Sequence, residues 1–247
     1  VSAARSALVT GGSRGIGAEI ARRLAGDGYA VTIAARTADT LERTAQRLRD
    51  ETGGEVFPFA ANMTDAEQLG ALVDAHAWRF GGLDLLVLSA GTGTAGPVAE
   101  MTAKARERML EVNFRAPLTL IQHALPLLRK SAAAAPERGA KIVAIASITG
   151  VAGEPGLAAY GATKAALISL CETLSLEESR RGVSATALSP GYVDTDMSAW
   201  KQGELGADAM LPTSDIAELV LAIARLSARA VVPNIVISRA GEQLWRA

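Results

Sequence analysis

The chain has 247 residues, 49% of them hydrophobic and 21% charged, enough apolar content to bury one sizeable α/β core without a second domain. Its 25 lysines and arginines against 26 acids give a formal net charge of −1, which excludes a basic footprint for nucleic acid or an anionic membrane. Cys171 is the only cysteine, which excludes an intrachain disulfide and a cysteine-based metal cluster and points to a reducing, cytoplasmic setting.

Apolar runs alternate with helical segments in a regular β-α order. That pattern predicts a single-domain, Rossmann-type doubly wound parallel sheet of about seven strands, with helices on both faces. No apolar stretch reaches the length of a membrane span, and the first residues read as the approach to a core strand rather than as a signal peptide. The first strand, Ala7 to Val9, runs into Thr10-Gly-Gly-Ser-Arg-Gly-Ile-Gly17. A helix from Arg14 to Gly26 follows, with Ile16, Ile20 and Leu24 on one stripe. Glycines at 11, 15 and 17 permit a tight turn and close backbone approach, while the unpaired amides of a helix start attract a pyrophosphate. Arg14 opposes the helix dipole there, so a bound anion explains it better than helix stability does.

The second strand, Ala30 to Ala34, ends at Ala35 and Arg36. Enzymes of this fold that choose NAD place an acidic residue here to hold the ribose hydroxyls. Ala35 instead leaves room for a 2′-phosphate, and Arg36 could fork onto it. Next come a helix from Thr37 to Asp50, a strand from Val56 to Phe59, and Asn62 and Met63. Thr64-Asp-Ala-Glu67 reads as a capping box opening a helix from Asp65 to Trp78, where Trp78 reads as packing. A strand from Leu83 to Leu88 leads to Ser89, Ala90 and Gly91, and a helix from Thr102 to Leu128 carries Asn113. Lys130 to Gly139 reads as a surface connection. A strand from Lys141 to Ala146 ends at Ser147, and a helix from Pro155 to Arg181 carries Tyr160 and Lys164. A strand from Ser184 to Ser189 meets Pro190, Gly191, Val193 and Thr195. Residues from about 192 to 212 lack periodicity, which fits a mobile loop or short helices. A helix from Ser214 to Ser227 and a strand from Asn234 to Ile237 complete the order.

The chemistry concentrates in Ala158-Ala-Tyr-Gly-Ala-Thr-Lys164, where a phenol and an ammonium stand four positions apart on one helical face. Positive charge beside Tyr160 favours the phenolate and should pull its pKa down from about 10, making a proton donor and acceptor near neutral pH. Ser147, at a strand's carboxyl end, can point its hydroxyl at a substrate oxygen. Alone, the pair would read as a core tyrosine beside a solvated lysine; the cofactor turn and Ser147 reverse that. His76 and His123 each stand alone, with no second ligand at metal spacing, so no metal is expected.

These ordered motifs resemble the short-chain dehydrogenase/reductase family along nearly the whole chain. The resemblance implies a catalytic tetrad of Asn113, Ser147, Tyr160 and Lys164: Tyr160 the general acid/base, Ser147 holding the carbonyl, Lys164 lowering the tyrosine pKa and binding the nicotinamide ribose, and Asn113 holding a water that relays protons through Lys164. It also implies that Gly11, Ser13, Arg14, Gly15, Ile16, Gly17, Arg36, Asn62, Met63, Ser89, Ala90, Gly91, Tyr160, Lys164, Pro190, Gly191, Val193 and Thr195 surround NADP(H). Asn62 would accept from the adenine amino group, and the segment from about 192 to 212 would cover a small carbonyl or alcohol substrate.

The pocket would draw on Gly93, Val151, Leu157, Tyr192, Met197 and Trp200. By analogy the protein is a homo-oligomer, a dimer or tetramer, with the Tyr160 helix at an interface. Ser89, Asn62 and Thr163 depart from the residues most frequent in relatives, and the tail from Ser238 to Ala247 lacks a common Asp-Gly-Gly ending. The expected activity is NADP(H)-dependent interconversion of a carbonyl and an alcohol. Two alternatives remain: a 3-oxoacyl-thioester reductase of fatty-acid type, and a catalytically silent dinucleotide-binding redox sensor.

Overall fold

The computed structural model describes residues 5–241; the last six residues of the atypical tail lie outside them. Seven parallel strands form one sheet in the order β3-β2-β1-β4-β5-β6-β7. They are β1 (Ser6–Thr10), β2 (Ala30–Ala35), β3 (Val56–Ala60), β4 (Leu85–Leu88), β5 (Ala140–Ile145), β6 (Val183–Pro190) and β7 (Asn234–Ile237). The helices are α1 (Gly15–Gly26), α2 (Ala38–Thr52), α3 (Ala66–Phe80), α4 (Ala103–Leu110), α5 (Ala116–Ala134), α6 (Ala158–Glu178), α7 (Ala199–Leu205) and α8 (Thr213–Arg225).

Both faces of the sheet are covered, and the period of two along each strand decides which face a side chain serves. Leu8 pairs in register with Leu86, Leu86 with Ile142, and Ile142 with Ala185. That row packs with Leu69 of α3, Leu120 of α5 and Leu167 of α6. The alternate residues Val9, Val87, Val143 and Leu188 face the other way, onto Ile20 of α1, Leu41 of α2 and Ile216 of α8. Strand order reverses between β1 and β4. Successive connections there leave for opposite faces, which opens a crevice at the strands' carboxyl ends.

Several boundaries differ from the sequence pattern for identifiable reasons. The single helix expected from Thr102 to Leu128 is two, joined by a π-helical turn over Glu111–Arg115. Pro117 has no N–H to give the carbonyl of Asn113, so the regular ladder cannot pass through. The connection expected at Lys130 to Gly139 is helical as far as Ala134. Alanine favours helix, Ala132 is buried, and the Ser131 hydroxyl accepts from Leu83 N at 2.7 Å.

The Tyr160 helix begins at Ala158 rather than Pro155, since Gly156 adopts φ +79°. The cap of α3 is Asp65, not Thr64: its carboxylate accepts from Glu67 N and Gln68 N, while Gln68 Oε1 reaches past the cap to accept from Asn62 N, so the reciprocal bond of a capping box is not made. Trp78, expected to pack, is 85% exposed. The segment after β6 contains α7 and a 3₁₀ turn at Ala207–Ala209, and it returns to the body through a bridge between Val193 and Leu211.

Candidate active site

The glycine turn sits where β1 meets α1. A Cβ on Gly17 would stand well under 3.0 Å from Gly11 O, and one on Gly11 would stand 2.9 Å from Ala90 N. Only a chain without those carbons can fold this tightly, and Gly15 adds a φ of +54°. Arg14 occupies the N-cap of α1 with no side-chain cap, and the helix's first turn carries no acid. Its amides therefore stay open to an anion. The Thr10 hydroxyl accepts from Ser89 N and Ala90 N, both at 3.1 Å, which ties the turn to the end of β4 across the crevice. Sequence reasoning missed this role for Thr10. Its signal was a hydroxyl at the last position of a buried strand.

Ser147 caps a 3₁₀ turn, Ile148–Gly150, at the end of β5. Its hydroxyl oxygen accepts from Thr149 Oγ1 at 2.9 Å and from Thr149 N at 3.2 Å, and the hydroxyl also draws the Tyr160 phenol's pKa down. Helix α6 lies directly on this turn. A Cβ on Gly161 would stand 2.6 Å from Thr149 O, and one on Gly150 would stand 2.7 Å from Lys164 C, so small residues on both sides hold Ser147 and Tyr160 together. Lys164 Nζ donates to Ile145 O at 2.7 Å and lies 5.5 Å from the Tyr160 ring centre.

Asn113 does not line the crevice. It is buried behind it on the π-helical turn, where Oδ1 accepts from Thr92 N at 2.9 Å. Its amide nitrogen donates to Thr92 O at 2.8 Å and to Thr163 Oγ1 at 3.1 Å. Thr163 in turn donates to Tyr160 O at 2.7 Å, so these four residues form one network.

The electrostatics correct one expectation. Burial pushes the Tyr160 phenol up to about 12, with the Ser147 hydroxyl only partly offsetting it. Burial likewise lowers Lys164 to about 8. Loss of hydration of each charged form outweighs the attraction expected at helical spacing, because the ammonium points at the Ile145 carbonyl rather than at the phenol oxygen.

One cleft of about 1370 Å³ runs from Gly11 and Arg36 past Ser89 and Gly91 to Ser147, Tyr160 and Lys164, and then to Tyr192 and Trp200. Every residue expected around a dinucleotide lines it; of the expected tetrad, only Asn113 stands behind the wall. Arg36 is exposed and has no hydrogen-bond partner among the described residues. Two details depart from expectation. Arg14 already has an anion, pairing with Asp196 at 2.9 Å while both side chains remain 73% exposed. Asn62 Oδ1 accepts from Thr64 N at 3.2 Å and from Thr64 Oγ1 at 3.1 Å, which fills its two lone pairs and leaves the amide nitrogen to face a ligand.

The family model described as short chain dehydrogenase matches residues 5–205. The chain belongs to the short-chain dehydrogenase/reductase family. It is therefore an oxidoreductase. It is 31% identical over 215 residues to the uncharacterized oxidoreductase YxjF of Bacillus subtilis, covering 87% of this chain and 81% of that one. It is 33% identical over 202 residues to the 3-oxoacyl-[acyl-carrier-protein] reductase FabG of Staphylococcus aureus, covering 81% and 79%. Among solved structures, it resembles an alcohol dehydrogenase from the archaeon Thermococcus sibiricus complexed with 5-hydroxy-NADP. That likeness has a TM-score of 0.87 and 30% identity over 97% of this chain and 98% of the other. Among the described residues no cluster of three His, Cys, Asp or Glu side chains could hold a metal, and no helix is long and apolar enough to cross a membrane.

Proposed function

We propose that this dehydrogenase/reductase interconverts a small carbonyl compound and its alcohol with NADP(H), using Tyr160 as general acid/base. The observation that carries this reading is the cleft that begins at the glycine turn and ends at Ser147, Tyr160 and Lys164. The cradle fits a dinucleotide. Added Cβ atoms would fill the approach to the turn, the open amides of α1 suit a pyrophosphate, and Arg36 stands unpaired beside Ala35, where NAD-choosing relatives carry an acid. The bound cofactor supplies or accepts the hydride.

The remaining work falls to the chain. Ser147 Oγ, anchored by Thr149, holds the carbonyl oxygen of the substrate. Tyr160, protonated at neutral pH because burial disfavours its phenolate, gives its proton to that oxygen as negative charge develops there. In the opposite direction the same phenol must first lose a proton, which its raised pKa opposes, so the isolated site is better adjusted to reduction. Lys164 holds the floor of the cleft by its bond to Ile145 O and presents positive charge near the ring. Arg14, exposed and paired only to Asp196, can turn to the 2′-phosphate opposite Arg36, each charge-assisted contact contributing ~1.5 to 3 kcal/mol. Asn62 donates to adenine through its amide nitrogen, in place of the acceptor role expected of its oxygen.

The relatedness to FabG favours a second reading, reduction of a 3-oxoacyl thioester. Absorbance of the reduced nicotinamide, followed with a panel of ketones, aldehydes and an acetoacetyl thioester, separates the two. The same assay with NADPH and NADH, for wild type and Arg36→Ala, tests the cofactor. Wild type should favour NADPH by about tenfold or more, and the variant should lose that margin. Equal efficiencies in wild type, or undiminished NADPH efficiency in the variant, would contradict the cofactor assignment.

A further inference from the structure

The substrate end of the cleft has an aromatic corner. Tyr192, just after β6, and Trp200, in α7, meet edge to face with ring centres 5.8 Å apart and planes at 86°. Both line the cleft, and Trp200 remains 52% exposed toward its mouth beside Met197 at 51%. Lys201 covers the pair, with Nζ 5.2 Å from the Trp200 ring centre and 5.7 Å from that of Tyr192, and its ammonium bonds to Glu204 at 2.5 Å.

The Tyr192 hydroxyl does not face the cleft unpartnered. It donates to Glu154 Oε1 at 2.8 Å, while Glu154 Oε2 is shielded from solvent and has no hydrogen-bond partner. Glu154 belongs to the segment between Ser147 and α6. That segment is fixed by the bond from Gly96 N to Gly156 O at 2.9 Å. If Tyr192 turned its hydroxyl toward a substrate, the shielded carboxylate would lose its partner at Oε1 as well, so the phenol is held where it is. A ligand at this end then meets ring edges and faces, with the Tyr192 hydroxyl already donated to Glu154 and the Trp200 indole N–H as the rings' one open donor. Burial and the Glu154 bond push the Tyr192 phenol up, and Tyr192 and Trp200 line the same cleft as Ser147 and Tyr160.

We infer that Glu154 is a positioning residue that locks Tyr192 against Trp200, and that this corner selects carbonyl compounds whose larger substituent is planar and apolar: an aryl ketone rather than a carrier-bound acyl thioester. The inference rests on the carbonyl-reductase reading above and adds the substrate class. Apolar rings pack against aromatic edges and faces, whereas the several amides of a carrier arm would find little hydrogen bonding on these two rings beyond the single Trp200 indole N–H.

The test compares kcat/KM with NADPH for acetophenone, cyclohexyl methyl ketone and acetoacetyl-coenzyme A in wild type and four variants. Intrinsic ketone reactivity cancels when the aryl-to-cyclohexyl ratio of a variant is divided by that of wild type. Trp200→Ala, Tyr192→Phe and Glu154→Leu should each lower the ratio by roughly three- to tenfold, mainly through KM for acetophenone. Glu154→Gln, whose amide oxygen still accepts from Tyr192, should keep the ratio within about twofold of wild type. Equal losses with both ketones would mark a merely structural staple and overturn the inference, as would an unmoved ratio or a wild-type preference for acetoacetyl-coenzyme A. If wild type binds NADPH yet reduces none of the three, the carbonyl-reductase reading itself fails and this inference falls with it. If it reduces the ketones at a ratio the variants leave alone, only the inference fails.

Discussion

Lowering the pH from about 7 to about 5 should destabilise the fold by about 2 kcal/mol through His76. The ring is fully buried between α3 and the sheet. Its Nε2 lies 3.0 Å from Gly82 O and its Nδ1 lies 2.7 Å from Thr32 Oγ1. A carbonyl can only accept, so Nε2 carries the hydrogen and Nδ1 accepts from the threonine hydroxyl. Protonating Nδ1 would set two donors face to face unless Thr32 rotates away, and neither partner is a carboxylate that could reward the charge.

Burial accordingly lowers the His76 pKa from 6.5 to about 4. With the folded-state value depressed, the unfolded chain binds more protons between those limits. The stabilisation is therefore complete above the unfolded value and is lost as pH falls toward the folded one. The whole window corresponds to about 3 kcal/mol, and the interval from pH 7 to 5 contains roughly 2 of it. Urea denaturation followed by circular dichroism, at fixed protein concentration, should show this loss in wild type but not in His76→Gln. That variant keeps a donor for Gly82 and an acceptor for Thr32 without a titrating group. Acid carboxylate effects are common to both proteins, so parallel stability profiles across this range would refute the reasoning.

Tyr160→Phe keeps the ring and removes the proton donor, so NADPH binding measured by fluorescence titration should persist while turnover falls by about 10²- to 10⁴-fold; near-normal turnover would remove the tyrosine from the mechanism. Gly17→Ala places a Cβ against the Gly11 carbonyl, and the forced shift should cost about 1 to 3 kcal/mol in denaturant titration and abolish nucleotide binding. Retained cofactor affinity would show that the turn tolerates opening. Along α6 the exposed side is Ala162, Ala165, Ser169, Thr173 and an 84% exposed Leu176, with Glu172 and Glu177 among them, a surface suited to a second copy of the chain. Light scattering should report a dimer or tetramer, and monomer alone at working concentration would contradict it.

Fold class was readable from the alternation of apolar strands with amphipathic helices, because each strand's residues serve both faces of a covered sheet and each helix serves one. The glycine turn was equally readable, since glycine at 11, 15 and 17 is a local steric demand. Helical spacing put Tyr160 and Lys164 on one face, the glycine turn and Ser147 made that pair a candidate site, and the remaining candidates along the cleft came from the resemblance to the short-chain dehydrogenase/reductase family.

What the sequence could not decide was every property that depends on distant neighbours. Tyr160 carries a raised rather than a lowered pKa because burial is a property of the packed interior, and Lys164 points at the carbonyl of Ile145, far away in the chain. Arg14 pairs with Asp196 and Asn62 with Thr64 because the segment after β6 and an Asx turn place those groups there. Asn113 turns inward on a π-helical turn whose cause, Pro117, was visible but whose consequence was not. The Glu154 to Tyr192 bond joins segments from two different strand ends. Local pattern fixes backbone conformation through sterics and periodicity; hydration, pairing and pKa follow from which chain segments the fold brings into contact, and only the tertiary structure settles that.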